Sequence, residues 1–288
     1  MGEDFSTDST RQECEKLQLE YPHLIRLIVA TENVGITPNF LRLVCRARGK
    51  YIALLEGDDY WIHPQKLSLQ VELMETHPEY SWCAGKTEGR TFWVKEKEFY
   101  TLSDIIEKYI FHTSTFLFRS ELLKTYPNFP NAVCWDAMLS VFLTEKGQCG
   151  FIDQSLSFYR RHIGGLYTGD SIFNRIALAQ LFTDTINPYT KYTYEKIIYE
   201  KELWVCSMET AINIENFNLK MWFNNIQLLR TELPRLVKVI PLKFLAFSIT
   251  ILIQPFVFSY LYFRRNLALR SRFAKLFNTF KSYLHILK

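Results

Sequence analysis

The sequence predicts an α/β protein: a mixed sheet flanked by helices, then a helical extension, then an apolar and basic tail. Three observations carry this. Strand-like and helix-like segments alternate through the first 165 residues or so, the pattern of an α/β sheet rather than a sandwich or bundle. A five-residue apolar run, Tyr51–Leu55, ends abruptly in acidic residues. Hydrophobic residues make up 48% of the 288 and charged residues 22%, enough apolar material for a sizeable core and too little charge for whole-chain disorder.

In order, residues 11–20 read as a helix and Leu24–Ala30 as a short strand. Pro38–Ala47 reads as a second helix, with Asn39 near its start. Tyr51–Leu55 is predicted to be a buried parallel strand that delivers Glu56-Gly57-Asp58-Asp59 to a sheet edge. Pro64 then opens a helix with Leu67, Val71 and Met74 on one face. Residues 81–100 are short and strand-like, Leu102–Tyr109 is helical, and Thr113–Phe118 is a strand. Asp136–Lys146 is a helix closed by Gly147, and Phe151–Tyr159 is a further strand. The composition turns helical from Ser171 to Glu232. Three domains follow: 1–170, 171–233 and 234–288.

Charge is unevenly distributed. The net charge is +4, yet no acidic residue follows Glu232, and residues 233–288 carry ten basic ones. The remainder has 24 basic against 30 acidic residues, so a mildly acidic body bears a strongly basic tail. Phe244–Phe263 runs 20 residues without a charge, interrupted by Pro255. At 1.5 Å per residue it reaches about 30 Å, the hydrocarbon thickness of a bilayer. Seven positive charges between Arg264 and Lys288 interleave with Phe273, Leu276, Phe277, Phe280 and Leu284, a basic amphipathic pattern suited to anionic lipid. Basic residues on both flanks favour keeping both ends on the cytosolic side. The expected location is the cytoplasmic face of the cell membrane, with the tail dipping in, lying on or spanning it. The start, Met1-Gly2-Glu3-Asp4, has no signal-peptide character. The six cysteines (14, 45, 83, 134, 149, 206) form no CxxC pair, which argues against a disulfide scaffold or a zinc knuckle. No nucleic-acid partner is expected.

Three acids in four positions after an apolar strand are costly unless something positive neutralises them, and carboxylates are hard ligands for a divalent cation. From these residues alone, an acidic turn in which Asp58 and Asp59 cap the next helix reads equally well.

The wider pattern resembles the inverting family 2 glycosyltransferases, which have the GT-A fold. It runs Ala47-Arg48-Gly49-Lys50, the strand, Glu56-Gly57-Asp58-Asp59-Tyr60-Trp61, Pro64, Lys66-Leu67 and Gln70. Glu3-Asp4-Phe5-Ser6-Thr7-Asp8-Ser9-Thr10 is similar to the family's DDGSTDGT loop, and Asn33-Val34-Gly35 with Asn39 to its NxG…N segment. His112-Thr113-Ser114-Thr115 to Arg119 resembles the segment before its acceptor side. Trp135-Asp136, Gly147, Ile152-Asp153 and Tyr159-Arg160-Arg161-His162 resemble the region of its catalytic base and closing motif. The match spans residues 3–165 in the family's order.

The resemblance implies the following. Asp58 and Asp59, with His162, hold a divalent metal, Mg²⁺ or Mn²⁺, on the diphosphate of a nucleotide-sugar. Glu56 stands where an Asp is usual and supports the donor site. Asp4 contacts the nucleotide base and Arg48 lies near the nucleotide. Arg160 and Arg161 grip the diphosphate. Asp136 is the general base that takes the proton of an attacking acceptor hydroxyl; the lesser alternative is that it caps the following helix. Where the family usually has another acid, this chain has Trp135, whose indole can stack on a sugar; His112 is a further acceptor-side residue. The acceptor is a lipid-linked or surface glycan. In the family a strand, a helix and a second strand precede the DDGSTDGT loop. The chain is therefore expected to lack them, and to need an upstream segment of about 35–45 residues or to show little activity. Two rivals follow: a non-catalytic, membrane-bound glycan- or partner-binding remnant, and a sugar-1-phosphate nucleotidyltransferase.

Overall fold

A computed structural model describes residues 1–89, 97–107, 111–127, 135–162, 184–198 and 200. The tail 234–288 and most of the helical extension 171–233 lie outside the described residues. Among the described residues, no helix is long and apolar enough to cross a membrane. By contacts the chain divides into two compact units. One comprises Met1–Gly169 with Asp184–Tyr189. In the other, residues 190–194 form turns and 195–198 are helical.

Among the described residues, the first unit holds two sheets. The smaller pairs β1 (Gly2–Glu3) with β2 (Ile28–Val29) in parallel, joined by helix α1 (Thr10–Glu20). Helix α2 (Ile36–Val44) follows. It starts two residues before the sequence pattern suggests, because Gly35 takes φ +85°, a conformation open to glycine without penalty. The main sheet has six strands: β3 (Tyr51–Ala53), β4 (Tyr60–Trp61), β5 (Tyr80–Glu88), β6 (Phe99–Tyr100), β7 (Leu117–Arg119) and β8 (Gln148–Phe158). Their order is β3-β7-β5-β8-β4, with β6 pairing the other half of the β8 edge that β4 uses. Only the central pair β5–β8 is parallel; every other pairing in this sheet is antiparallel. The expected mixed sheet flanked by helices is present.

Helices α3 (Lys66–Thr76) and α5 (Trp135–Lys146) both pack on β5 and β8, and α4 (Leu102–Glu107) packs on α5. Successive side chains of a strand point to opposite faces. Accordingly Trp82 donates its indole N–H to Thr144 on α5 at 2.9 Å, while Cys83 packs with Met74 of α3 and Leu117. Trp82 also meets Phe116 and Phe111 edge-on at 4.7 and 5.9 Å. Each fully buried aromatic or aliphatic side chain contributes about 1.5–3 kcal/mol, and the two faces of the sheet together bury Tyr80, Trp82, Tyr100, Phe111, Phe116, Phe118 and Phe142.

Three expectations need correction. β3 is a half-buried strand, antiparallel to β7, rather than a buried parallel one; its apolar run reflects packing beside an antiparallel neighbour. The buried face of α3 is Lys66, Gln70 and Met74, and Leu67 is exposed, because polar groups on that face meet partners inside. Thr113–Phe118 is not a continuous strand: Thr113–Thr115 is one turn of 3₁₀ helix, capped by the His112 side chain, before β7 begins.

Candidate active site

Strand β3 leads into the acidic turn, where the Asp59 amide donates to the Glu56 carbonyl at 3.3 Å. β4 then pairs with the end of β8, which brings Tyr159–His162 alongside the turn. The Arg160 amide donates to Asp59 Oδ1 at 3.0 Å, and Arg160 Nε donates to the Asp58 carbonyl at 2.6 Å. His162 Nε2 lies 3.1 Å from Asp58 Oδ2. Arg161 leans over the Tyr159 ring. Gly89, at φ +77°, allows β5 to pass this junction: a Cβ there would lie 2.4 Å from the Tyr159 carbonyl oxygen.

The second wall is the 3₁₀ turn. His112 Nδ1 lies 3.4 Å from Asp59 Oδ2 and 2.8 Å from Ser114 Oγ, and its ring packs against Tyr159 at 4.8 Å. Ligand atoms of Glu56, Asp59 and His112 fall within 4.8 Å of one another. Burial pushes the Glu56 carboxyl up to about 7, against a weaker downward pull from the Thr113 hydroxyl, with the Asp59 and Asp136 charges adding to the rise. Burial also raises Asp59; the Arg160 amide opposes it and the Asp58 charge reinforces it. Glu56 Oε2 is buried with no hydrogen-bond partner. Two desolvated carboxylates, one with an orphaned oxygen, beside an imidazole fit a hard divalent cation.

The residues singled out in the sequence separate into groups. Asp58 and His162 form one carboxylate–imidazole pair; Asp59 belongs with Glu56 and His112. Asp136 lies in the first turn of α5, close enough for its charge to raise both Glu56 and Tyr126. Its Oδ1 accepts the Ala137 amide at 2.9 Å. Trp135 stacks on Phe40 of α2, ring centroids 4.2 Å apart, so one face of its indole packs within the protein. The Asp4 carboxylate accepts the Val34 and Gly35 amides at 3.0 and 2.9 Å, tying the first loop to the start of α2. Arg48 is exposed between α2 and β3. The proximity of His112 to Glu56 was not signalled by spacing. Nor were the buried hydroxyls of Ser114, Ser157 and Thr87 behind it, since serines and threonines carry no motif of their own.

A mixed sheet flanked by helices, with an acidic turn after a strand and a histidine-bearing exit beside it, fits the GT-A fold. Residues 2–147 match the family model described as glycosyl transferase family 2. The chain belongs to that family. Among curated proteins it is 31% identical over 179 residues to the uncharacterized protein Rv1520 of Mycobacterium tuberculosis and, equally, to Mb1547 of Mycobacterium bovis. That match covers 58% of this chain and 51% of those proteins, so the chain spans about half the length of the curated relatives it matches. Similar solved folds include Staphylococcus aureus TarS 1–349 in complex with UDP-GlcNAc, with a TM-score of 0.55, 16% identity, and coverage of 77% of this chain and 68% of that one. The mannosyltransferase PcManGT of Pyrobaculum calidifontis, in complex with GDP-Man and Mn²⁺, has a TM-score of 0.54, 17% identity, and coverage of 87% and 75%.

Proposed function

We propose that the chain is an inverting glycosyltransferase that moves a sugar from a nucleotide-diphosphate sugar to a hydroxyl acceptor. The observation that carries this is the crowding of Glu56 and Asp59, both pushed toward protonation, beside His112. Asp59, Glu56 and His112 would hold a divalent cation, Mg²⁺ or Mn²⁺, and the neighbouring Asp58–His162 pair would add ligands. When bound, the cation neutralises charge building on the departing diphosphate. Arg160 and Arg161 add positive charge on the same side, and Asp136, on α5, accepts the proton of the acceptor hydroxyl. The complexes of TarS with UDP-GlcNAc and of PcManGT with GDP-Man and Mn²⁺ support a nucleotide-sugar donor for this fold. The basic, apolar tail favours a lipid-linked or surface glycan as acceptor and work at the cytoplasmic face of the membrane.

Incubating the full chain with UDP- and GDP-sugars, with and without Mn²⁺, tests the reading. Metal-dependent release of nucleoside diphosphate supports it. Release of pyrophosphate instead indicates a nucleotidyltransferase. Binding without turnover indicates the non-catalytic remnant, a reading that draws on the engagement of Asp4 within its own loop.

A further inference from the structure

Helix α3 buries a base that no step of the reaction uses. Lys66 is 1% exposed, and Gln70, one turn further on, is fully buried. Lys66 Nζ donates to Gln70 Oε1 at 2.7 Å and sits 4.3 Å from the centre of the Trp61 ring. Both of these neighbours reach the turn that follows His112. Gln70 Nε2 donates to the Thr115 carbonyl at 2.7 Å, and Trp61 Nε1 donates to the Ser114 carbonyl at 2.9 Å.

Those two carbonyls depend on donors from outside the turn. Its internal bonds use the carbonyls of His112 and Thr113, which accept the amides of Thr115 and Phe116 at 2.9 Å each. Ser114 and Thr115 are fully buried, and a buried carbonyl without a donor is costly. A side-chain amide can face either way; with its oxygen toward the Thr115 carbonyl, two acceptors would meet. An ammonium only donates, so Lys66 holds Gln70 Oε1 toward itself and Nε2 toward the turn. The same cation over the Trp61 face steadies the ring whose N–H holds Ser114. One side chain thus touches both groups that grip the turn. On the turn's other side the Thr113 hydroxyl bears on Glu56, and His112 Nδ1 lies 3.4 Å from Asp59 Oδ2. Burying an ammonium is expensive where an apolar side chain of similar volume would pack, which points to placement rather than stability as its role.

We propose that Lys66 is a positioning residue: through Gln70 and Trp61 it fixes the 112–115 turn against the acidic turn and thereby raises the affinity of the site for a divalent cation. The gain in affinity rests on the metal-dependent reading of the site, and the test separates the two.

The full chain is compared at pH 7 with Lys66→Met, Gln70→Glu and Met74→Ala. Mn²⁺ affinity is measured by calorimetry. The Trp61 indole N–H is followed by ¹⁵N NMR without metal and assigned by its loss in Trp61→Phe. Lys66→Met removes a positive charge and Gln70→Glu adds a negative one, so the electric field alone would tighten Mn²⁺ binding in both. The clamp demands the reverse. Lys66→Met frees the amide and the indole; Gln70→Glu keeps Lys66 paired but takes the donor from the Thr115 carbonyl. Each should weaken Mn²⁺ binding about tenfold, and Lys66→Met should also shift the indole signal. Met74→Ala, on the same buried face but packed against Cys83 and Leu117, should lower the denaturation midpoint and leave both readouts as in wild type. If Lys66→Met and Gln70→Glu bind Mn²⁺ as tightly as wild type or more so, or if Met74→Ala weakens binding equally, the proposal is overturned. If wild type binds no Mn²⁺, the metal reading falls; a shifted indole signal in Lys66→Met then still supports the clamp, and an unchanged one overturns it.

Discussion

Between residues 1 and 45 the strands are two residues long, and α1 buries none of its side chains. Leu19 and Leu24 are more than four-fifths exposed. Between Tyr51 and Phe158 the long strands β5 and β8 are covered by helices. The acids of the two regions differ in the same sense. Glu3 accepts the Ser6 amide, and that bond, with Arg11 nearby, holds its carboxyl below the usual range despite burial. Asp4 accepts two amides. Glu56 and Asp59 are pushed the other way. Carboxylates held by backbone amides, as at Asp4 and at Glu3 Oε1, or facing a guanidinium, as Glu3 Oε2 faces Arg11 at 3.6 Å, build loops. Carboxylates left crowded and desolvated are what a catalytic site leaves for a positive partner.

The largest effects that could break this contrast lie at the crowded acids. Asp136→Asn should lower turnover on the order of 10²-fold or more while leaving donor affinity nearly unchanged. Asp59→Ala should abolish the metal-dependent part of donor binding. Calorimetric donor titrations and single-turnover rates on both variants check this, and an equal loss of donor affinity in the two would contradict the assigned roles.

The next effect is a pH dependence of stability. Glu56 titrates near 4.5 unfolded and about 7 folded, so between these values the native state binds more protons. In chelator, stability should fall as pH rises from about 4.5 to about 7, by up to roughly 3 kcal/mol. Glu56→Gln should flatten that slope, and added Mn²⁺ should offset it. Denaturant melts at pH 5 and 7.5 measure both.

Lys66 sharpens the comparison with a buried base. It is 1% exposed, bonds Gln70 Oε1 at 2.7 Å and lies 4.3 Å from the Trp61 ring centre. Burial lowers it from 10.5 to about 8. Here the unfolded chain binds the extra proton, so stability should rise between pH 8 and 10.5, again by at most roughly 3 kcal/mol. The difference between wild type and Lys66→Met should carry that slope. The smallest effect belongs to the other region: Leu19→Ser and Leu24→Ser should each change stability by no more than about 0.5 kcal/mol, read by thermal melts.

Much of the fold was legible because periodicity and punctuation marked it: α1, α2 and α5 fall within about three residues of their sequence patterns. The sense of β3 was not, since an apolar run looks alike beside a parallel or an antiparallel neighbour. The inner face of α3 was hidden because Lys66 and Gln70 read as solvent-facing until Trp61 and the Thr115 carbonyl are placed beside them. For the site, the order of motifs brought Asp58, Asp59 and Asp136 to notice. The separation of the acids into two imidazole pairs was not readable, because it depends on where β8 ends relative to the 3₁₀ turn.

The clasp of Arg160 on the acidic turn has a consequence for how the protein comes into being. Its two bonds join residues 101 and 102 positions apart. Asp59 therefore gains its backbone donor only after β8 has paired with β4. Closing so long a loop is entropically costly and comes late in folding. A ribosome-bound chain that has emerged only as far as α5 carries its acids in an unclasped turn, with neither Arg160 nor His162 beside them. The clasp thus marks a chain whose main sheet has closed around β8.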